Sequence, residues 1–313
     1  MTRIVADRPA EAPDVLAQLL DGVRARGALF GEAGLDPPWG LRFATGASVT
    51  LTTLRSGAGW VVPASGAPVA IGPGDVVLSR GPAPFTVADR PATPPPRRVT
   101  GADYCADPPG RSCRVGPRGD TVLLSGAYQG GGAVAERLLR TLPETILLPA
   151  AARPEPVLDL LATELRREGA GQQAVLDRLL DLALVSVLRA WLENAGPAAP
   201  RWHTAGADPV VGRAQALLHA APEHPWTVAG LARATGVSRA SLARRFAGAV
   251  GEPPMAYLTG WRIARAADLL RETDATVASV AREVGYADAF ALSAAFKRLR
   301  GVSPSAYRRA VAG

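Results

Sequence analysis

The sequence predicts an α+β chain in which a β-rich first half and a helical segment precede an all-helical last third. Three observations carry this reading. Short β-type runs punctuated by Gly and Pro fill Leu41 to Tyr128, helix-period apolar patterns take over from Ala133, and the last hundred or so residues repeat a helix, Gly-turn, helix pattern. In the repeat, Thr227 to Gly236, TVAGLARATG, aligns with Thr276 to Gly285, TVASVAREVG, at an offset of 49. After the turn, Phe246, Gly251, Pro254 and Tyr257 align with Phe296, Gly301, Pro304 and Tyr307 at an offset of 50. Two copies are too few for a solenoid, so they describe a tandem of helix-turn-helix units.

From the N-terminus, Asp14 to Arg26 has the spacing of a short amphipathic helix, with Val15, Leu16, Leu19, Leu20 and Val23 apolar. The runs LRFAT, SVTLTTL, GWVVPA, PVAIG, DVVLS, FTVAD and DTVLLSGAY then read as strands of a sandwich or small barrel. Pro91 to Arg118, rich in Pro, Gly and Arg, reads as a long loop holding both cysteines. Cys105 and Cys113 flank a Pro-Pro-Gly turn that permits a bridge, and Arg111 and Arg114 favour the Cys113 thiolate. The pair is therefore a candidate redox switch, against the plainer reading of two inert thiols. No further ligand stands nearby to make a zinc site.

Helices follow at Ala133 to Leu142, Glu155 to Glu168 and Gln172 to Asn194. In the last, Leu176, Leu180, Leu184, Val187 and Trp191 belong to an apolar stripe wider than one packing face needs. These five are the candidate dimer interface, covered by the same helix of a second protomer. The alternative is a helix buried in its own domain. Asn194 to Asp208, rich in Pro, Gly and Ala, reads as an inter-domain linker. The expected domains are thus 1–194 and 208–313, joined by 195–207.

Charge divides along the same boundary. Residues 1–200 hold 20 Arg against 20 acids, whereas 201–313 hold 14 Arg and Lys297 against 8 acids, so the net +7 resides in the last third. That excess is what a nucleic-acid-binding domain requires. The N-terminal MTRIVADRPAEAPDV lacks the apolar core of a signal peptide, and the longest apolar run, around Leu182 to Leu188, is far short of the ~20 residues of a membrane span. A cytoplasmic protein without membrane contact is expected.

Within the basic third, Asp208 caps a helix to Ala221 with Pro209 at its first position. The second helix of the first unit starts at its N-cap, Ser238. Leu242, Phe246 and Val250 point inward, which leaves Arg239, Ala240, Ser241, Ala243, Arg244 and Arg245 outward. In the second unit Val277, Val280, Ala281 and Val284 face Leu292, Phe296 and Leu299, leaving Ser293, Lys297, Arg298 and Arg300 outside.

The stretches WRIARAADLL (Trp261 to Leu270), VGYAD (Val284 to Asp288) and FKRLRGVSPSAYR (Phe296 to Arg308) are similar to the DNA-binding domain of AraC/XylS-type transcription regulators. The resemblance implies two helix-turn-helix units, joined by a long helix over Pro254 to Arg271, that read neighbouring major-groove segments of double-stranded promoter DNA. By position, Ala240, Ala243 and Arg244 in the first unit, and Ala289, Phe290, Ser293 and Ala294 in the second, match the family's base contacts. Arg244 is the candidate guanine reader, because a planar two-pronged donor matches O6 and N7. Arg239 and Arg245 are assigned to phosphates. The second unit departs from the family, with Ala294 where arginine is common. It is expected to touch thymine methyls through Ala289, Phe290 or Ala294, and to clamp the backbone with Lys297 and Arg298.

Gly72 to Asp89, GPGDVVLSRGPAPFTVAD, resembles the cupin-type sensory domain found in such regulators, which implies a cupin-like β-barrel. Many cupins are metal enzymes with clustered histidines. Here no histidine precedes His203, and Phe85 follows Pro84 where many relatives carry one. No metal, cofactor or catalysis is therefore expected; the alternative is a cupin-type metal enzyme fused to a DNA-binding module. The resemblance further implies a regulator, more usually an activator in contact with RNA polymerase, that answers a small-molecule effector; the apolar stripe of Gln172 to Asn194 adds an expected homodimer, and the cysteine pair a redox signal as the alternative input.

Overall fold

The structure, a computed structural model, describes residues 29–95, 97–100, 112–115, 119–128, 132–152, 156–167 and 169–312. The expected helix at Asp14 to Arg26 and the residue Cys105 lie outside them. The chain forms two compact units, one of described residues in 29–128 and 138–199, the other of 132–137 and 200–312.

The first unit is a pair of packed sheets. Its strands are β1 Leu29–Leu35, β2 Gly40–Phe43, β3 Val49–Ser56, β4 Gly59–Val62, β5 Val69–Ile71, β6 Val76–Arg80, β7 Phe85–Ala88, β8 Arg97–Val99, β9 Ser112–Val115, β10 Thr121–Tyr128 and β11 Thr145–Leu148. They assemble in the orders β11-β6-β3-β10-β1-β9 and β5-β4-β7-β2-β8. Pairing is antiparallel except where β9 joins β1 and β8 joins β2. Alternation along the strands turns one face of each sheet inward. Leu35, Leu54, Val77 and Leu123 of the larger sheet meet Leu41, Phe43, Val61 and Val87 of the smaller. Phe85, at the position expected of a ligand histidine in relatives, is a core residue, its ring stacked on Phe43 at 5.0 Å.

Two strands fall inside the stretch read as one long loop. Arg97–Val99 and Ser112–Val115 are added in parallel at the edges of the two sheets. At three and four residues they are too short to show alternation, and the neighbouring strand supplies their order. The backbone of Cys113 lies in β9, in register with Ala33. Strand β1, LFGEAGL, also escaped the sequence pattern, because two glycines and a glutamate interrupt its apolar positions. It is ordered by pairing with β10 along its whole length.

The helices of this unit are α1 Ala133–Leu139, only whose last two residues belong here, α2 Val157–Leu165 and α3 Gln172–Asn194. In α3 the proposed interface residues Leu176, Leu180, Leu184, Val187 and Trp191 are all buried within this chain, which corrects their assignment to a second protomer. The stripe is wide because the helix has cover on two sides. Leu158 and Leu161 of α2 are buried with it, and Leu184 and Leu188 line a pocket with Val49 and Leu78 of the larger sheet and with Leu139, Leu142 and Ile146. The Tyr128 hydroxyl donates to the Leu180 carbonyl. The large apolar side chains left exposed on α3 are Val175 and Leu182.

The second unit contains α4 Arg201–Thr204, α5 Pro209–Ala220, α6 Val228–Ala234, α7 Arg239–Val250, α8 Pro254–Glu272, α9 Val277–Glu283, α10 Ala289–Arg300 and α11 Pro304–Ala312. The latter part of the expected linker is helical and packed: Trp202 is buried, and Ala205 joins Val211, Leu231, Leu242, Phe246 and Tyr257 in one core cluster. Composition marked 195–207 as loose, but burial of a tryptophan and small size at Ala205 let the end of it dock.

Candidate nucleic-acid interface

The two helix-turn-helix units are the pairs α6–α7 and α9–α10, and each helix start is closed by a side chain. Thr227 Oγ1 accepts from Gly230 N at 3.0 Å, Ser238 Oγ from Ser241 N at 3.2 Å, Thr276 Oγ1 from Ser279 N at 3.1 Å and Asp288 Oδ1 from Ala291 N at 2.7 Å. Such caps satisfy amides that the helix cannot, and they fix where each reading helix begins. The turns between helices pass through Gly236 and Gly285, whose φ values of 72° and 85° lie in the left-handed region. Inside, Leu242 and Phe246 of α7, and Leu292, Ala295 and Phe296 of α10, are buried against their first helices and α8. Leu299 departs from the expected inward face and is 51% exposed.

α8 joins the units and carries a latch that periodicity did not reveal. Arg262 donates from Nε to the Pro222 carbonyl at 2.6 Å and from Nη2 to the His224 carbonyl at 2.8 Å, with its guanidinium 5.9 Å from the Tyr286 ring centre. It thereby ties the loop before the first unit to the turn of the second. Arg308 does similar work on α8, donating to the Leu270 carbonyl at 3.1 Å and the Ala275 carbonyl at 2.5 Å. Both lie in the motifs quoted above, and motif membership was the only sequence signal for them.

On the outward face of α7, Arg239, Ala240 and Arg244 are exposed while Ser241 and Ala243 are half-buried. Ala240 and Arg244 stand one turn apart on one stripe. On α10 the corresponding stripe is Phe290, Ala294, Lys297 and Arg298, with Ala289 and Ser293 half-buried beside it. Arg239, Arg244, Lys297 and Arg298 have no ion-pair partner among the described residues, so their charge is available to an external anion. Arg300 turns aside, its guanidinium lying 5.7 Å from the Tyr307 ring centre.

Arg245 is a correction. Its Nε and Nη2 donate to the two carboxylate oxygens of Asp208 at 2.9 and 2.7 Å. Asp208 is itself the N-cap of α5, accepting from Val210 N at 2.9 Å and Val211 N at 3.3 Å. Burial raises the Asp208 pKa, but the hydrogen bonds from Arg245 and the two amides outweigh it and hold the carboxyl below its ordinary range. Arg245 therefore fastens α7 to α5 and is not positioned as a phosphate donor. Arg245→Ala is expected to lower stability by about 1 kcal/mol and to leave the salt dependence of DNA binding unchanged. A salt slope smaller by about one unit would return it to the phosphate-binding set.

Among the described residues no group of three or more His, Cys, Asp or Glu could hold a metal ion, and no helix is long and apolar enough to cross a membrane. The paired, capped reading helices, with outward cations that have no ion-pair partner among the described residues, define a DNA-binding regulator, and in chain order they follow a two-sheet unit. The comparisons agree: the Cupin family matches residues 14–193 and a helix-turn-helix domain family matches 231–310. An AraC-like transcription regulator of Streptomyces lividans is 36% identical over 301 residues, covering 95% of this chain and 98% of that protein. A second, from Streptomyces antibioticus, is 35% identical over 302 residues, covering 95% and 98%. Among solved structures, the DNA-binding domain of AdpA in complex with a target DNA is 32% identical, covering 32% of this chain and 90% of that one, with a TM-score of 0.31. The chain belongs to the AraC-type transcription regulators with a cupin N-terminal domain.

Proposed function

We propose that this regulator reads its operator mainly through α7, with Arg244 as the base-reading donor, and uses Lys297 and Arg298 of α10 to clamp phosphates. The observation that carries this is the exposed guanidinium of Arg244, without an ion-pair partner among the described residues, one turn beyond Ala240 and at the place where the second unit has only Ala294. A guanidinium offers two parallel donors to guanine O6 and N7, whereas a methyl offers none. The N-terminal unit passes a small-molecule or thiol signal to this surface. Transcription is activated through contact with RNA polymerase, the reading the family resemblance supports.

Selection of bound sequences from randomised DNA, followed by titration of variants, tests the assignment. Arg244→Ala should cost about 1–3 kcal/mol and relax preference at one base pair; equal weakening on every sequence would make Arg244 a phosphate contact. Lys297→Ala should weaken binding to all sequences alike and reduce the salt slope by about one unit. Loss confined to particular sequences would contradict its role as a clamp.

A further inference from the structure

Phe290 stands out on the surface of the second reading helix. It is 83% exposed, whereas the other large apolar side chains exposed among the described residues lie between 41% and 51%. It is the second residue of α10, in the first turn after the Asp288 cap. No aromatic ring or cation packs on it among the described residues. A phenyl ring held in water forfeits the burial that Phe43, Phe85, Phe246 and Phe296 obtain, and its place in the first turn of a reading helix, rather than its exposure alone, points to DNA as the partner that covers it.

The neighbours restrict what that partner is. Ala289 and Ala294 flank the ring with nothing longer than a methyl, and Ser293 is half-buried. This turn therefore comes close to a surface without a side chain that donates two hydrogen bonds. The cations of the same helix lie toward its other end, at Lys297, Arg298 and Arg300. The helix is thus divided lengthwise into an apolar tip and a charged base. In the major groove, thymine is the standard base that presents an apolar group, its C5-methyl. Ala240 occupies the matching position in α7, where the donor Arg244 follows. The two units are then complementary in chemistry, one polar reader and one apolar reader.

We propose that Phe290 is the specificity-determining residue of the second helix-turn-helix and reads the C5-methyl of thymine. This rests on the DNA-reading face proposed above. The test uses full-length protein and the operator recovered from randomised DNA, with each thymine replaced in turn by deoxyuridine, which removes the methyl and keeps the base pair. At one or two positions the wild type should bind about 3–5-fold more weakly to the deoxyuridine operator, the amount one buried methyl contributes. Phe290→Ala should bind the thymine and deoxyuridine forms equally at those positions, and Phe290→Leu should retain part of the difference. Because the side chain is exposed, the Phe290→Ala protein should melt like the wild type. A wild type indifferent to every methyl, or a Phe290→Ala loss that is the same on both operators, overturns the inference and leaves DNA reading through Arg244 intact. Failure to recover any preferred sequence would overturn the reading face itself.

Discussion

Gly285→Ala should destabilise the helical unit by about 3–4 kcal/mol, while the matching Gly236→Ala should cost only about 1–2 kcal/mol. Both glycines make the same turn, with φ of 85° and 72°, so the strain of a left-handed alanine is common to the two. The surroundings differ. A Cβ on Gly285 would lie 2.6 Å from the Glu223 carbonyl oxygen, 2.7 Å from the Glu223 Cα and 2.7 Å from Arg262 Nη2, whereas one on Gly236 meets nothing within 4 Å. The Arg262 end is flexible and can yield. The Glu223 backbone cannot, because the Pro222 and His224 carbonyls beside it are held by the same arginine. Denaturant titration of the full-length variants, followed by far-ultraviolet circular dichroism, measures the difference. Equal losses at the two glycines would mean that the Arg262 latch does not constrain the second turn.

Acidification should weaken the same unit through His219. The ring is buried with Nε2 2.6 Å from the Tyr257 hydroxyl, its centre is 4.1 Å from that of Trp261, and Nδ1 has no hydrogen-bond partner among the described residues. Burial first, then the nearby Arg137 and Arg265, push its pKa down to about 3. The folded form therefore holds the neutral imidazole, while the unfolded chain takes up a proton at its ordinary pKa of about 6.5. With the folded pKa below the unfolded one, the stability is complete above pH ~6.5 and declines as the pH falls toward ~3, by about 2 kcal/mol at pH 5. His219→Gln should remove this part of the pH dependence whatever its own effect at neutral pH. If wild type and variant lose the same stability between neutral pH and pH 5, His219 does not set the acid limit.

The last third of the chain was legible because its rules are local. A Thr or Ser cap, an apolar stripe of helical period and a turn glycine each act within a few residues, and they occur twice, so each copy checks the other. The candidate reading face followed, since an inward stripe on a short helix leaves the outward residues by elimination. Arg245 shows where elimination stops. Its position on α7 resembles that of its neighbours, and only the approach of Asp208, 37 residues earlier, commits its guanidinium to the scaffold.

By itself the sequence determined the strands within Leu41 to Asp89 and Asp120 to Tyr128, the longer helices from Ala133 onward, the paired helix-turn-helix units and the concentration of positive charge around them. Tertiary structure decided what depends on partners distant in the chain. β1, β8, β9 and β11 exist because a neighbouring strand supplies their hydrogen bonds, and short or glycine-broken segments carry no pattern of their own. The broad apolar stripe of α3 proved to be interior, because α2 and the larger sheet cover it from two sides, and periodicity counts apolar faces without saying what covers them. Phe290 is the converse case. The sequence placed an aromatic residue at the tip of a reading helix, and only the fold showed that no part of the described chain covers it.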